Sequence, residues 1–212
     1  MNFRLLSLFT LCLLFTSCSQ VYYGAMDKLG YEKRHILVSR VKKAKSTQEE
    51  AKEEFSSALE EFMAASNYQG GSLERTYNRI ERAYESSRKQ ADEVRNRNDA
   101  VENTGNALFT EWEQEINTFS DVSLATSSRQ QYDAAKVRFR ELSAAMSAAE
   151  SKLDPVLTKF RDQTLYLKHN LNARAINALE SQVARVRIDV AQLIAEMEHS
   201  ISEADRFIST ME

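Results

Sequence analysis

Apolar and small side chains recur along most of this chain in alternating steps of three and four residues. That spacing keeps one face of a helix turned toward a partner helix. The first run reads Leu37, Val41, Ala44, Gln48, Ala51, Phe55, Ala58, Phe62 and Ala65. A second begins at Leu73 and continues through Tyr77, Ile80, Tyr84, Ser87, Ala91, Val94, Asn98, Val101, Gly105, Leu108, Trp112 and Glu115 to Phe119 without a slip. Tyr132, Ala135, Phe139, Leu142, Met146, Ala149, Leu153, Val156 and Phe160 make a third. A fourth runs Leu179, Val183, Val186, Val190, Leu193, Met197, Ser200, Ala204, Ile208, Met211.

Breaks separate the runs. Asn67-Tyr68-Gln69-Gly70-Gly71-Ser72 pairs glycines that end a helix with a serine that can cap the next. Ser120–Ser128 is polar, and Ser127 with Gln130 forms a plausible capping box. Pro155 falls inside the third run and predicts a kink or interruption there. A turn is expected around Lys168-His169-Asn170-Leu171-Asn172, because asparagine favours caps and turns. The predicted helices therefore span about 26–66, 73–119, 127–167 and 172–211. Their similar lengths and short loops predict an all-α fold, an elongated antiparallel four-helix bundle or coiled coil in a single domain over 18–212. Without a turn near 170, the third and fourth runs would form one long helix, partnered for only half its length.

Composition agrees with long helices. The chain has one proline and five glycines in 212 residues, far fewer than a β-rich fold needs for its turns. The net charge of −3 gives no basic excess with which to displace counterions, so a general nucleic-acid partner is not expected. Two seam positions are weak, Asn98 and Gly105. A buried asparagine can fix register, and a glycine lets a neighbouring backbone approach closely.

The amino terminus has a different character. Met1–Arg4 is short and basic, and Leu5–Phe15 is apolar over eleven residues, too short to span a bilayer but suited to a signal-peptide core. Leu14-Phe15-Thr16-Ser17-Cys18 then resembles the lipobox of bacterial lipoproteins, with Phe15 where leucine is usual. The resemblance implies removal of residues 1–17, a diacylglyceryl group on the Cys18 sulfur and an acylated Cys18 amine. Cys12 would leave with the signal, so no internal disulfide is expected. Ser19, where aspartate would favour the inner membrane, points to the periplasmic face of the outer membrane. The expected cofactor list is empty apart from this covalent lipid.

Three further groups are candidate sites. Lys28, Lys33, Arg34, Arg40, Lys42, Lys43 and Lys45 are opposed between 28 and 45 only by Glu32, and predict a basic face near lipid headgroups. His169, Asn170 and Asn172 could form a recognition turn, although a helix-capping turn is the commoner use of such residues. Glu32-Lys33-Arg34-His35 and Glu196-Met197-Glu198-His199 both read Glu-x-x-His, the spacing of di-iron carboxylate bundles. Neither sits squarely on its seam, and the other runs lack a matching glutamate pair, so no metal site is expected. No phosphate-binding loop or nucleophile motif occurs.

Lys33 to Val41, Asp154-Pro155-Val156-Leu157 and Leu165 to Ala175 together resemble a family of proteobacterial helical lipoproteins known as a domain of unknown function. The resemblance implies envelope localisation and helical architecture, and it carries no activity. The expected role is therefore non-enzymatic and structural, an anchored rod with a possible homo-oligomeric or envelope-protein partner. The alternative is an adaptor in an envelope transport or stress-response complex.

Overall fold

The computed structural model describes residues 18–66, 70, 72–170 and 173–211, with side chains from Lys33 onward outside 171–178 and 180. The expected signal at 1–17 and Asn172 lie outside the described residues, as do the side chains of Cys18, Lys28 and Glu32. Among the described residues five helical segments follow one another: α1 (Cys18–Ser66), α2 (Leu73–Ile116), α3 (Val122–Ser151), α4 (Leu153–His169) and α5 (Ala173–Met211). They form four arms, with α3 and α4 making the third, and no strand occurs among the described residues.

Side-chain pairs fix the direction of each arm. Lys33 meets Glu111 at 2.7 Å and Arg79 meets Glu61 at 3.5 Å, so α1 and α2 are antiparallel. Trp112 Nε1 donates to Ser128 Oγ at 2.9 Å, while Asn98 Nδ2 donates to Glu150 at 3.0 Å, so α3 reverses α2. Lys45–Asp205 at 2.7 Å and Lys52–Glu198 at 2.8 Å run α5 back along α1. The bundle is up-down-up-down, and the long continuous alternative through residue 170 is not formed. Asn170 caps α4 instead: its N–H donates to Leu167 O at 3.2 Å and its Nδ2 to Tyr166 O at 3.0 Å.

The seams face inward as the spacing predicts. All nine seam residues of α1 from Leu37 to Ala65 are buried, as are all nine of the third arm from Tyr132 to Phe160. Gly70 ends the first turn at φ +125°, a conformation a Cβ would oppose.

Three local expectations need correction. α2 stops at Ile116 rather than 119, and Phe119 is exposed. α3 starts at Val122 rather than 127, and Ser127 caps nothing, because Asp121 Oδ1 accepts from Ser123 N at 2.7 Å and Leu124 N at 3.2 Å. The interruption of the third arm falls at Lys152, three residues before Pro155. Pro155 has no N–H to give the Ser151 carbonyl, and its ring opposes that carbonyl. The chain answers with a tighter bond, Lys152 N to Ala149 O at 3.1 Å. Pro155 then sits in the first turn of α4, where a missing donor costs little.

Candidate functional site

The core is divided. One apolar cluster centres on Phe55, Phe62, Ile80, Val94, Phe160, Val190 and Leu193, and reaches the end of the bundle where α1 leads into α2 and α4 into α5. The other centres on Leu37, Leu108, Phe109, Tyr132, Phe139 and Phe207, at the end shared by the early part of α1 and the α2–α3 turn. Between them lies a polar waist of Thr47, Gln48, Asn98 and Ser200, all buried. Asn98 spans it: Oδ1 accepts from Gln48 Nε2 at 3.5 Å and Nδ2 donates to Glu150 Oε2 at 3.0 Å. Bonds of this kind are how a buried asparagine can fix register.

A groove of about 330 Å³ opens beside the waist between α2 and the third arm. Arg95, Asn98, Asp99, Glu102, Ser143, Ser147, Glu150, Ser151 and Asp154 supply its polar lining. Arg95 is tied to Asp92 at 2.8 Å and to Asp154 at 2.6 Å, leaving the groove acidic. Its lining has no histidine, cysteine or lysine.

Gly105 faces the neighbouring arm through a side chain rather than the backbone approach expected. The Phe139 ring fills the hole its missing Cβ leaves, and a Cβ there would lie 2.0 Å from Phe139 Cζ. Around this ring an aromatic cluster closes the end of the bundle. Phe109 is 5.3 Å from Phe139, 5.8 Å from Tyr132 and 6.3 Å from Trp112. Arg34 lies 5.1 Å over Trp112, and Arg129 and Lys136 lie 5.2 and 4.7 Å over Tyr132. Glu113 accepts from Arg129 and from the Tyr132 hydroxyl, and these bonds hold its carboxyl below the ordinary range.

The basic residues do not form the single face expected. At 100° per residue, Lys33, Arg34, Lys42 and Lys43 point in four different directions around α1. Several are also engaged. Lys33 pairs with Glu111, Arg34 covers Trp112, Arg40 donates to Ala100 O at 3.0 Å and to Thr104 Oγ1, and Lys45 holds Asp205. The bond to Asp205 raises the Lys45 pKa. These cations tie α1 to its neighbours, while Lys42 and Lys43 remain exposed.

His169 is exposed at the end of α4, next to the Asn170 cap. Of the two Glu-x-x-His stretches, His35 and His199 are exposed and Glu198 pairs with Lys52. Among the described residues no group of three or more His, Cys, Asp or Glu side chains is arranged to hold a metal. No described helix is long and apolar enough to cross a membrane.

Sequence reasoning missed the α2–α3 apex. Residues 117–124 carry Phe119 at 45%, Val122 at 80% and Leu124 at 55% exposure, an apolar group inside what reads as a polar break. Asp121 followed by Val122 was the available signal for an earlier helix start.

Comparison with curated proteins finds no match. The family model described as "Protein of unknown function (DUF2959)" matches residues 22–211, nearly the whole bundle, and the chain belongs to that family.

Proposed function

We propose that the chain is an envelope lipoprotein, tethered through Cys18 at the periplasmic face of the outer membrane, whose bundle has a non-catalytic structural or interaction role. The observation that carries this proposal is the junction at Cys18. Leu14-Phe15-Thr16-Ser17 precede the cysteine, and α1 begins at Cys18 itself, so the tether joins the rod without a separate linker. Several acyl chains, each buried methylene contributing about 0.8 kcal/mol, would make the attachment effectively permanent. A structural role is supported by the cations of α1 committed to interhelical pairs. Cys18→Ala tests the anchor: it should abolish labelling by radioactive palmitate and leave the precursor uncut. Continued labelling would refute it.

A second role, an adaptor for an envelope complex, is favoured by apolar residues off the seams. Leu165 and Tyr166 are exposed beside the Asn170 turn, and Ile188 is 58% exposed on α5. Crosslinkers placed at 166 and 188 in cells should capture one specific protein if the adaptor role holds, and only this chain or nothing if the rod is purely structural.

A further inference from the structure

The α2–α3 apex shares its end of the bundle with the amino terminus of α1. Lys33–Glu111 marks a common level on the two helices. From Lys33 back to Cys18 is about 22 Å of helix, and from Glu111 on to the end of α2 about 8 Å. The end of α2 therefore stands to one side of the tether and about 14 Å short of it, so a leaning rod brings apex and tether to one plane.

The chemistry of the apex suits lipid. Phe119, Val122 and Leu124 leave it exposed within six residues of one another. Several of its polar groups are bonded within the turn itself. Asn117 N–H donates to Gln114 O at 3.2 Å, Thr118 N–H and Oγ1 to Glu115 O at 2.9 and 2.8 Å, and Thr126 Oγ1 to Val122 O at 2.8 Å. Asp121 is bent back onto Ser123 and Leu124, and Ser123 Oγ donates to it at 2.7 Å. A turn with several donors and acceptors already paired loses less on leaving water, while three apolar side chains gain. We propose that this apex is a second membrane contact: it dips into the headgroup region of the bilayer that holds Cys18, and so fixes the lean of the rod. This rests on the anchoring proposed above.

The test uses the lipidated full chain. Its mature form has Cys18 as sole cysteine, and acylation blocks that thiol, so Val122→Cys and Lys168→Cys each introduce one free thiol for an environment-sensitive fluorophore. On phosphatidylethanolamine–phosphatidylglycerol vesicles, the label at 122 should brighten several-fold, shift to the blue and be quenched by a headgroup-region nitroxide lipid. The label at 168, at the far end, should do none of these. A label at Ser120→Cys should respond likewise, and lose the response in a Phe119→Ser/Leu124→Ser background. If the protein floats with vesicles but 122 stays in water, the apex contact is wrong and the anchor stands. If the chain does not float, the anchor fails and the apex contact with it. A shift at 122 that needs no vesicles and grows with protein concentration would assign the apex to a second copy of the chain and overturn the membrane contact.

Discussion

The half of the bundle around Phe160 and the half around Phe139 use the same four arms and close them differently. At Phe160 the packing is flat and tight: Phe62 stacks on it at 4.5 Å and Phe55 at 6.3 Å, with alanines and branched aliphatics around. At Phe139 the rings are tilted, one glycine makes the space, Trp112 is only partly buried beneath Arg34, and Arg129 and Lys136 cover the buried Tyr132. The waist separates them by placing Gln48, Asn98 and Ser200 on seams that are otherwise apolar. One uninterrupted periodicity thus encodes two cores, because a polar residue at a seam position keeps the helix and divides the packing.

The sharpest way to break this division is Phe160→Ala. The ring is fully buried, and its loss should cost about 3–5 kcal/mol in chemical denaturation. Hydrogen exchange should then quicken between 51 and 65 and between 76 and 94, with little change between 105 and 116. Equal loss in both regions would show the waist to be no divider. Gly105→Ala probes the other half. A mid-helix Gly→Ala exchange normally stabilises by about 1 kcal/mol. Here the new Cβ meets a ring wedged between Phe109 and Phe207, so a net loss of about 1–2 kcal/mol is expected, largely rescued by adding Phe139→Leu.

The waist itself offers a comparison of opposite sign. Asn98→Ala removes the partner of Gln48 Nε2, and Gln48 Oε1 already accepts no hydrogen bond from any described residue. A loss of about 1–3 kcal/mol should follow. Gln48→Leu with Asn98→Leu removes both polar groups and should be nearly neutral or stabilising. It should also merge the cores, so that exchange protection in the two halves rises and falls together.

Much of this division is legible in the sequence, since Asn98 and Gly105 stand out as weak positions in a regular seam. The inward faces and the turn near 170 are legible too. What fails lies at the ends. An undistorted helix drifts by about 20° per heptad against a strict repeat. Near the Phe139 end the buried line of α2 moves onto Phe109 and Ile116, leaving Trp112 half-buried and Phe119 out. On α5 it moves onto Phe207, with Ile208 half-buried. The basic run misleads for a related reason: spacing along the chain says how many cations there are, but their partners sit on α2 and α5. The apex is hidden because Asp121 makes its cap with backbone donors two and three residues ahead, a match that several polar residues in that stretch could have made.

The smallest expected effect separates the two halves by pH. Near the tether end, bonds from the Ser123 hydroxyl and from the Leu124 and Ser123 N–H groups hold Asp121 below its usual range, and bonds from Arg129 and Tyr132 do the same for Glu113. A carboxyl lowered by folding stabilises above its unfolded pKa, and that contribution fades as pH falls through the folded one. Acid below the ordinary carboxylate range should therefore loosen the apex and the Tyr132 rim first. In the other half, Tyr77 donates to Glu81, and that bond pushes its pKa from 10.0 up to about 12. A group raised by folding stabilises fully below its unfolded pKa, and the gain is lost as pH rises through the folded value. Alkali between about pH 10 and 12 should thus weaken the start of α2 while leaving the apex unaffected. Tyrosine absorbance followed through an alkaline titration should show a late-ionising group that Tyr77→Phe removes. Hydrogen exchange at the two extremes should report fraying at opposite ends of the rod, and fraying at the same end under both conditions would show that these local bonds do not govern the ends.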